Sequence, residues 1–162
     1  MTSVVHRSPA GDIDASTLYR ILRLRVDVFV VEQACPYPEL DGRDLEPTTR
    51  QFWITEDDDP HGPVVSTLRL LEEPAPAADG GLVYRIGRAC TDRAHRGRGL
   101  LAKLMTTALD EVGDRPCRIE AQAYLTEMYG KFGFVAEGEE YLEDGIPHVS
   151  MLRIGQSSAG AR

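Results

Sequence analysis

The sequence contains no apolar run that approaches a membrane span, and residues 1–11 lack the apolar core of a secretory leader. Neither membrane insertion nor export is expected, and the default location is the cytoplasm. Cysteine is scarce. Cys35, Cys90 and Cys117 are odd in number and show neither Cys-x-x-Cys nor mixed His/Cys spacing, which argues against a disulfide framework and offers no metal-ligand pattern. Reduced thiols and no bound metal are expected. Cations are also in deficit, with 18 Lys and Arg against 26 Asp and Glu, a formal net charge of -8. A nucleic-acid surface needs a broad excess of Lys and Arg, so nucleic acid is not an expected partner. Internal repeats and coiled-coil heptads are missing as well. What remains is an ordinary globular composition, 42% hydrophobic and 27% charged, in a length suited to one domain. That domain is taken as residues 1–155, with a disordered tail over 156–162.

The few cations are gathered. Arg93, His95, Arg96 and Arg98 stand together in Asp92-Arg93-Ala94-His95-Arg96-Gly97-Arg98-Gly99-Leu100-Leu101, whereas acids crowd other segments: Glu39, Asp41, Asp44 and Glu46, then residues 57–59, then Glu137, Glu139, Glu140, Glu143 and Asp144. Such a split suits an anionic cofactor and a cationic acceptor, although any one of these acids can simply be solvated. Leu100, Leu101, Leu104, Met105, Ala108, Leu109 and Val112 recur with helical spacing, so a helix opens near Gly99 and stops at Gly113. The loop thus feeds a helix N-terminus whose unpaired N–H groups and positive dipole end favour an anion, and Gly97 and Gly99 allow close backbone approach.

An earlier helix is expected over 15–31, N-capped by Asp14, with Leu18, Ile21, Leu22 and Phe29 as its apolar stripe. Arg25 and Glu32 fall on that stripe, where a charge serves either a structural ion pair or a site wall. A long acidic, proline-bearing loop over 33–49 follows, of the kind that often binds ligands. Strand patterns at 51–55, 64–71 and 82–91, separated by turn compositions, predict an antiparallel meander. After the second helix come a buried strand at 117–121, a short helix at 125–132 ended by Gly133, and a last strand pair at 134–141 and 148–154 around Glu143-Asp144-Gly145-Ile146-Pro147.

Arg96-Gly97-Arg98-Gly99-Leu100-Leu101 resembles the acyl-CoA diphosphate loop of the GNAT N-acetyltransferases, Gln/Arg-x-x-Gly-x-Gly/Ala, with Leu101 where that family usually carries a small residue. The run Tyr129-Gly130-Lys131-Phe132-Gly133-Phe134 is similar to the family's short helix after its fifth strand, where a tyrosine serves the cofactor sulfur. Tyr129 holds that place. Leu24-Arg25-x-x-Val28-Phe29, Cys35-Pro36-Tyr37, Asp41-Gly42-x-Asp44 and the 143–148 stretch look like the ElaA-type branch of the family.

The resemblance implies an α+β GNAT fold, a mixed and largely antiparallel sheet flanked by helices, with the cofactor cleft between the fourth and fifth strands. It implies acetyl-CoA as co-substrate and direct transfer of acetyl to a primary amine of a small molecule or peptide. The backbone of Ala89, Cys90 and Thr91 would then meet the pantetheine arm, and Arg96, Gly97, Arg98, Gly99, Leu100 and Leu101 the diphosphate. Arg25, Phe29, Asp41 and Asp44 would line the acceptor side, and a homodimer is compatible with the fold.

Tyr129 suits a general acid, since an ordinary tyrosine near ~10 is matched to a departing thiolate whose thiol titrates near ~8.5; the plain alternative is a packing tyrosine. An ammonium acceptor must lose a proton before attack, yet the strand 82–91 offers no carboxylate. Glu32 ranks first as base, Glu120 second and His148 third. Cys90 reads as a packing residue rather than a nucleophile. Two rival readings stand. Arg25, Phe29, Asp41, Asp44, Arg69 and Arg88 also resemble acyl-homoserine lactone synthases, although Arg85 stands where those carry a glutamate. The other rival is a non-catalytic acyl-CoA-binding domain.

Overall fold

The computed structural model describes residues 3–74 and 81–155. Among them, one sheet of eight strands runs in the order β1-β2-β3-β4-β5-β8-β6, with β7 also paired to β8. The strands are β1 (His6–Pro9), β2 (Arg50–Thr55), β3 (Val64–Pro74), β4 (Leu82–Thr91), β5 (Cys117–Gln122), β6 (Val135–Ala136), β7 (Tyr141–Glu143) and β8 (Ile146–Arg153). The predicted meander is present, as β1 to β4 pair antiparallel in sequence order.

Each face of the sheet carries one main helix. α2 (Leu100–Val112) lays Leu104, Met105, Ala108 and Leu109 over Phe52, Leu68, Leu70, Ile86 and Ile119. α1 (Ala15–Val26) covers the opposite face, where Ile21 and Leu24 meet Val64 and Cys90. Strand alternation sorts the residues: Leu68 and Leu70 point to α2, while Thr67 and Arg69 belong to the other face. β3 is therefore buried on both sides from Val64 to Leu71.

Two irregularities open the molecule. β4 and β5 pair in parallel only at Tyr84↔Cys117 and Arg85↔Arg118, and beyond Arg85 they part. In β4, Arg69 faces Gly87 and Thr67 faces Cys90, so two residues, Arg88 and Ala89, stand opposite Leu68 alone. This is a β-bulge, with Arg88 at φ 51°. The extra residue reverses the alternation: Ile86 and Ala89 share the α2 core, whereas Cys90 joins the α1 cluster.

Several expectations need correction. The Asp14 cap is present, accepting from Thr17 N at 2.6 Å, but the helix predicted through residue 31 turns π-helical over Asp27–Glu32, with Gln33 N reaching Val28 O and Cys35 N reaching Val30 O. That wider turn carries Glu32 off the stripe it would share with Arg25 in an α-helix. The strand predicted over 134–141 divides into β6 and β7 around Gly138, at φ 98°, and the two halves pair with different parts of β8. The short helix is confined to α3 (Thr126–Gly130). β1 escapes prediction because its four residues have no apolar alternation. The tail at 156–162 lies outside the described residues.

Arg25 is fully buried. Its Nε donates to Glu39 Oε2 at 2.7 Å, and Nη1 and Nη2 donate to the two oxygens of Asp44 at 2.6 and 3.1 Å. Arg69 from β3 holds Asp41 at 2.6 Å and Asp44 at 3.3 Å, Gln51 donates to Asp44, and Arg88 from β4 reaches Glu39 and Asp41 at 3.0 and 3.3 Å. Three carboxylates of the 33–49 loop are thus pinned to arginines from a helix and two strands. The Arg69 hydrogen bond holds the Asp41 carboxyl far below its ordinary range. For Asp44, burial opposes the charge, but Arg25 and Arg69 outweigh it and the carboxyl also lies low.

Arg25→Ala leaves Glu39 and Asp44 buried without their central partner and is expected to cost about 3–5 kcal/mol in urea denaturation, with early proteolytic cutting in 33–49. The Asp44 carboxyl has a depressed folded value, so its stabilisation is complete above the unfolded value near ~3.9 and fades as pH falls below it. The wild type should therefore lose stability below about pH 4 more steeply than the variant; parallel acid profiles would show that the network does not hold the loop.

Candidate active site

Where β4 and β5 part, a cleft of about 500 Å³ lies between the sheet, the 33–49 loop and the β7–β8 hairpin. At the end of β4, Asp92 accepts from Ala94 N at 3.1 Å and contacts His95 Nδ1 at 2.8 Å, fixing a short 3-10 turn. Gly97 and Gly99 follow at φ 78° and 74°, and a Cβ at either would meet nothing within 4 Å. Left-handed backbone explains the glycines, and the open space above them admits a ligand. α2 then starts without a side-chain cap, so its first N–H groups have no partner within the helix. An acyl-CoA diphosphate fits this cradle. Leu101 does not intrude, since its side chain is half-buried against the α2 core.

Arg96 is engaged with the opposite wall. Its Nη1 and Nη2 donate to Glu32 at 2.6 and 2.8 Å, and its Nε donates to Thr91 O at 2.9 Å. The Arg96 contact holds the Glu32 carboxyl below its usual range. Glu32 is not among the residues that line the cleft; it is clamped to the 92–99 loop at the end of the π-helical turn. Of the expected acceptor-side residues, Phe29 and Asp41 line the cleft, while Arg25 and Asp44 are buried behind its wall. Ala89 lines it too. Cys90 is buried in the α1 cluster, and burial pushes its thiol far up, as a packing residue requires. Thr91 Oγ1 bonds Ser66 Oγ at 2.9 Å.

Tyr129, Glu120 and His148 all line the cleft. Tyr129 is 4% exposed and packs edge-to-face on Phe134, with ring centroids 6.3 Å apart. Burial pushes its hydroxyl up to about 12, and that hydroxyl has no hydrogen-bond partner among the described residues. Alternation along β5 sends Ile119 and Ala121 into the α2 core and turns Glu120 and Gln122 to the cleft. Glu120 accepts from Arg85 at 2.8 Å, Tyr141 at 2.6 Å and Ser150 at 3.3 Å. His148 Nδ1 lies 2.7 Å from Ile146 O and its ring stacks on Tyr141. A carbonyl only accepts, so Nδ1 carries the proton and neutral His148 keeps its lone pair at Nε2.

Sequence reasoning missed Arg85 as a cleft residue. It joins Glu120 to Glu73 at 2.9 Å, and Glu73 in turn bonds Arg43 at 2.8 Å. A charge at the middle of a central strand was the available signal. Cys35, Tyr37, Glu143 and Asp144 also line the cleft; they lie on loops and a hairpin tip, whose placement depends on tertiary contacts.

The acetyltransferase (GNAT) domain family matches residues 26–154. A UPF0039 protein of Mycobacterium tuberculosis is 59% identical over 155 residues, 96% of each chain, and the ElaA protein of Escherichia coli is 37% identical over 147 residues, 88% of this chain and 91% of its own. Among solved structures, an acyl-CoA N-acyltransferase from Pseudomonas aeruginosa superposes with a TM-score of 0.81 at 40% identity, covering 94% of this chain and 99% of that one. E. coli ElaA gives 0.81 at 34% with the same coverage. The acyl-homoserine lactone synthase BjaI shares the fold alone, with a TM-score of 0.71 at 18% identity, covering 97% of this chain and 85% of that one. No helix among the described residues is long and apolar enough to cross a membrane. With its diverging β4 and β5, its glycine cradle and these relatives, the chain belongs to the GNAT acyltransferases, in the group that includes ElaA and the UPF0039 proteins.

Proposed function

We propose that this protein is an N-acetyltransferase that moves acetyl from acetyl-CoA directly to a primary amine in the cytoplasm. The observation that carries this reading is Tyr129, 4% exposed, whose hydroxyl has no partner among the described residues and which lines a cleft together with Glu120 and His148. Acetyl-CoA supplies an acyl group activated as a thioester. The protein has then to orient the amine, accept its proton and stabilise the departing sulfur.

His148 takes the proton at Nε2, since its Nδ1 proton is committed to Ile146 O. Glu120 holds the ammonium form by charge; its oxygens already meet Arg85, Tyr141 and Ser150, which fix its position. Tyr129 donates a hydrogen bond toward sulfur. An N–C bond forms as the C–S bond breaks: one proton of the ammonium leaves through His148, and a second ends on the thiol. Transfer without a covalent enzyme intermediate agrees with Cys90, whose burial suppresses its thiolate. Arg96 and the N–H groups from Gly97 to Leu101 hold the diphosphate, with Glu32 acting on them through Arg96.

These assignments separate in kinetics. Following thiol release with acetyl-CoA and an amine panel, Tyr129→Phe is expected to lower kcat by roughly 10²-fold with CoA affinity kept, and His148→Gln by roughly 10²- to 10⁴-fold. Glu120→Gln should act mainly on KM for the amine. Full kcat in His148→Gln would move the base to Glu120.

Calorimetry of CoA binding tests the clamp. Arg96→Ala should weaken binding by about 1–3 kcal/mol, Glu32→Gln should weaken it too, and the double variant should lose less than the sum. Strictly additive losses would mean that Glu32 does not hold Arg96 for the cofactor.

A further inference from the structure

The cleft is rich in charge, and the charges are not equally committed. Arg43, Arg69, Arg85 and Arg88 line it, and each is tied to carboxylates of the protein: Arg43 to Glu46 and Glu73, Arg69 to Asp41 and Asp44, Arg85 to Glu73 and Glu120, Arg88 to Glu39 and Asp41. Their charge is spent internally. Glu143 and Asp144 line the same cleft and are exposed, and their carboxylates have no ion-pair partner or hydrogen-bond donor among the described residues.

These two acids are held in place. Glu143 pairs with Ile146 across a two-residue turn in which Asp144 and Gly145 lie at φ 51° and 78°, the positive angles that a tight hairpin of native twist requires. The tip is tied to the far wall, where the Cys35 thiol donates to Asp144 O at 3.5 Å. The hairpin therefore presents uncompensated negative charge at a fixed distance from the reacting groups. His148 and Glu143 are one strand and two residues apart in the β7–β8 register, about 8 Å between Cα atoms at ordinary strand spacings. A short methylene chain spans that separation.

Building on the acyltransferase reading, we infer that the acceptor is a linear diamine or polyamine: one amine is acylated between Glu120 and His148 while a second ammonium rests against Glu143 and Asp144. An acceptor ending in carboxylate would meet the same two acids with like charge, and a simple alkylamine would leave them unused. The net charge of -8 further enriches cations at the cleft mouth. Atom balance is that of the proposed reaction, since the second ammonium neither gains nor loses a bond.

The test measures kcat/KM by thiol release from acetyl-CoA with three acceptors of matched length, a linear diamine, an n-alkylamine and an ω-amino acid, at low and high salt. The diamine should lead the other two by about fivefold to tenfold, mainly through KM, with the lead shrinking in salt, as exposed charge pairs allow. In Glu143→Gln/Asp144→Asn the diamine should lose its lead, falling several-fold more than the alkylamine does; Asn tolerates the positive φ at 144. Glu143→Lys, a surface charge reversal, should move the preference toward the ω-amino acid and guards against a folding defect in the double variant. Equal rates for diamine and alkylamine, or a diamine lead that survives both variants, would overturn the inference alone. Acetyl-CoA binding without thiol release from any amine would overturn the acyltransferase reading and this inference with it.

Discussion

The cleft wall built by residues 33–49 depends on one buried cation. The leucines of the 33–49 loop, Leu40 and Leu45, are exposed and do not anchor it; it is instead fastened through Glu39, Asp41 and Asp44 to Arg25, Arg69 and Arg88. Removing these charges from water is costly, and only dense pairing repays it. Arg25 meets that requirement with three hydrogen bonds to two carboxylates and no exposure. A leucine or phenylalanine anchor would hold the loop more cheaply, yet it would collapse against the sheet and fill the space in front of β4. Ion pairs fix the loop at a distance, which keeps a wide polar cleft open.

The cleft itself comes from pairing that stops. β4 and β5 share a register only at Tyr84 and Arg85, and the chain beyond is free to diverge because Arg85 and Glu120 bridge the fork. The bulge at Arg88 and Ala89 works in the same direction. By reversing the alternation it sends Cys90 into the α1 core and leaves Ala89 at the cleft, so one inserted residue sets which face each later position of β4 serves. Gly87, with open space where a Cβ would stand, keeps the floor clear.

How much of this could be read beforehand follows from the range of the interactions involved. α2, its Gly99 start and its Gly113 stop were readable because a 3.6-residue period and a left-handed glycine are local properties. The meander was readable for the same reason. The π-helical turn was not: nothing local in 27–32 separates a π from an α turn, and its last residue, Glu32, meets Arg96, 64 positions away. The division of 134–141 into β6 and β7 depends on Gly138 and on where β8 offers partners. Within the site, Tyr129, Glu120 and His148 could be named from sequence and do line one cleft. A helical wheel groups Glu32 with Arg25, and the π turn invalidates that grouping. Arg85, Glu143 and Asp144 required the sheet register.

Burial also alters what Tyr129 can do in the proposed reaction. An exposed tyrosine near ~10 lies within about two pKa units of a thiol near ~8.5, close enough to share its proton. With the Tyr129 hydroxyl pushed up to about 12, complete transfer to a thiolate is uphill by more than three units, on the order of 5 kcal/mol. The same environment gives the compensation. A neutral phenol at a largely buried position, with no acceptor among the described residues competing for its proton, is a strong hydrogen-bond donor toward a developing negative charge. Tyr129 then works by stabilising the sulfur as it leaves rather than by protonating it. The thiolate collects its proton afterwards from the cleft, where the amine has just released one.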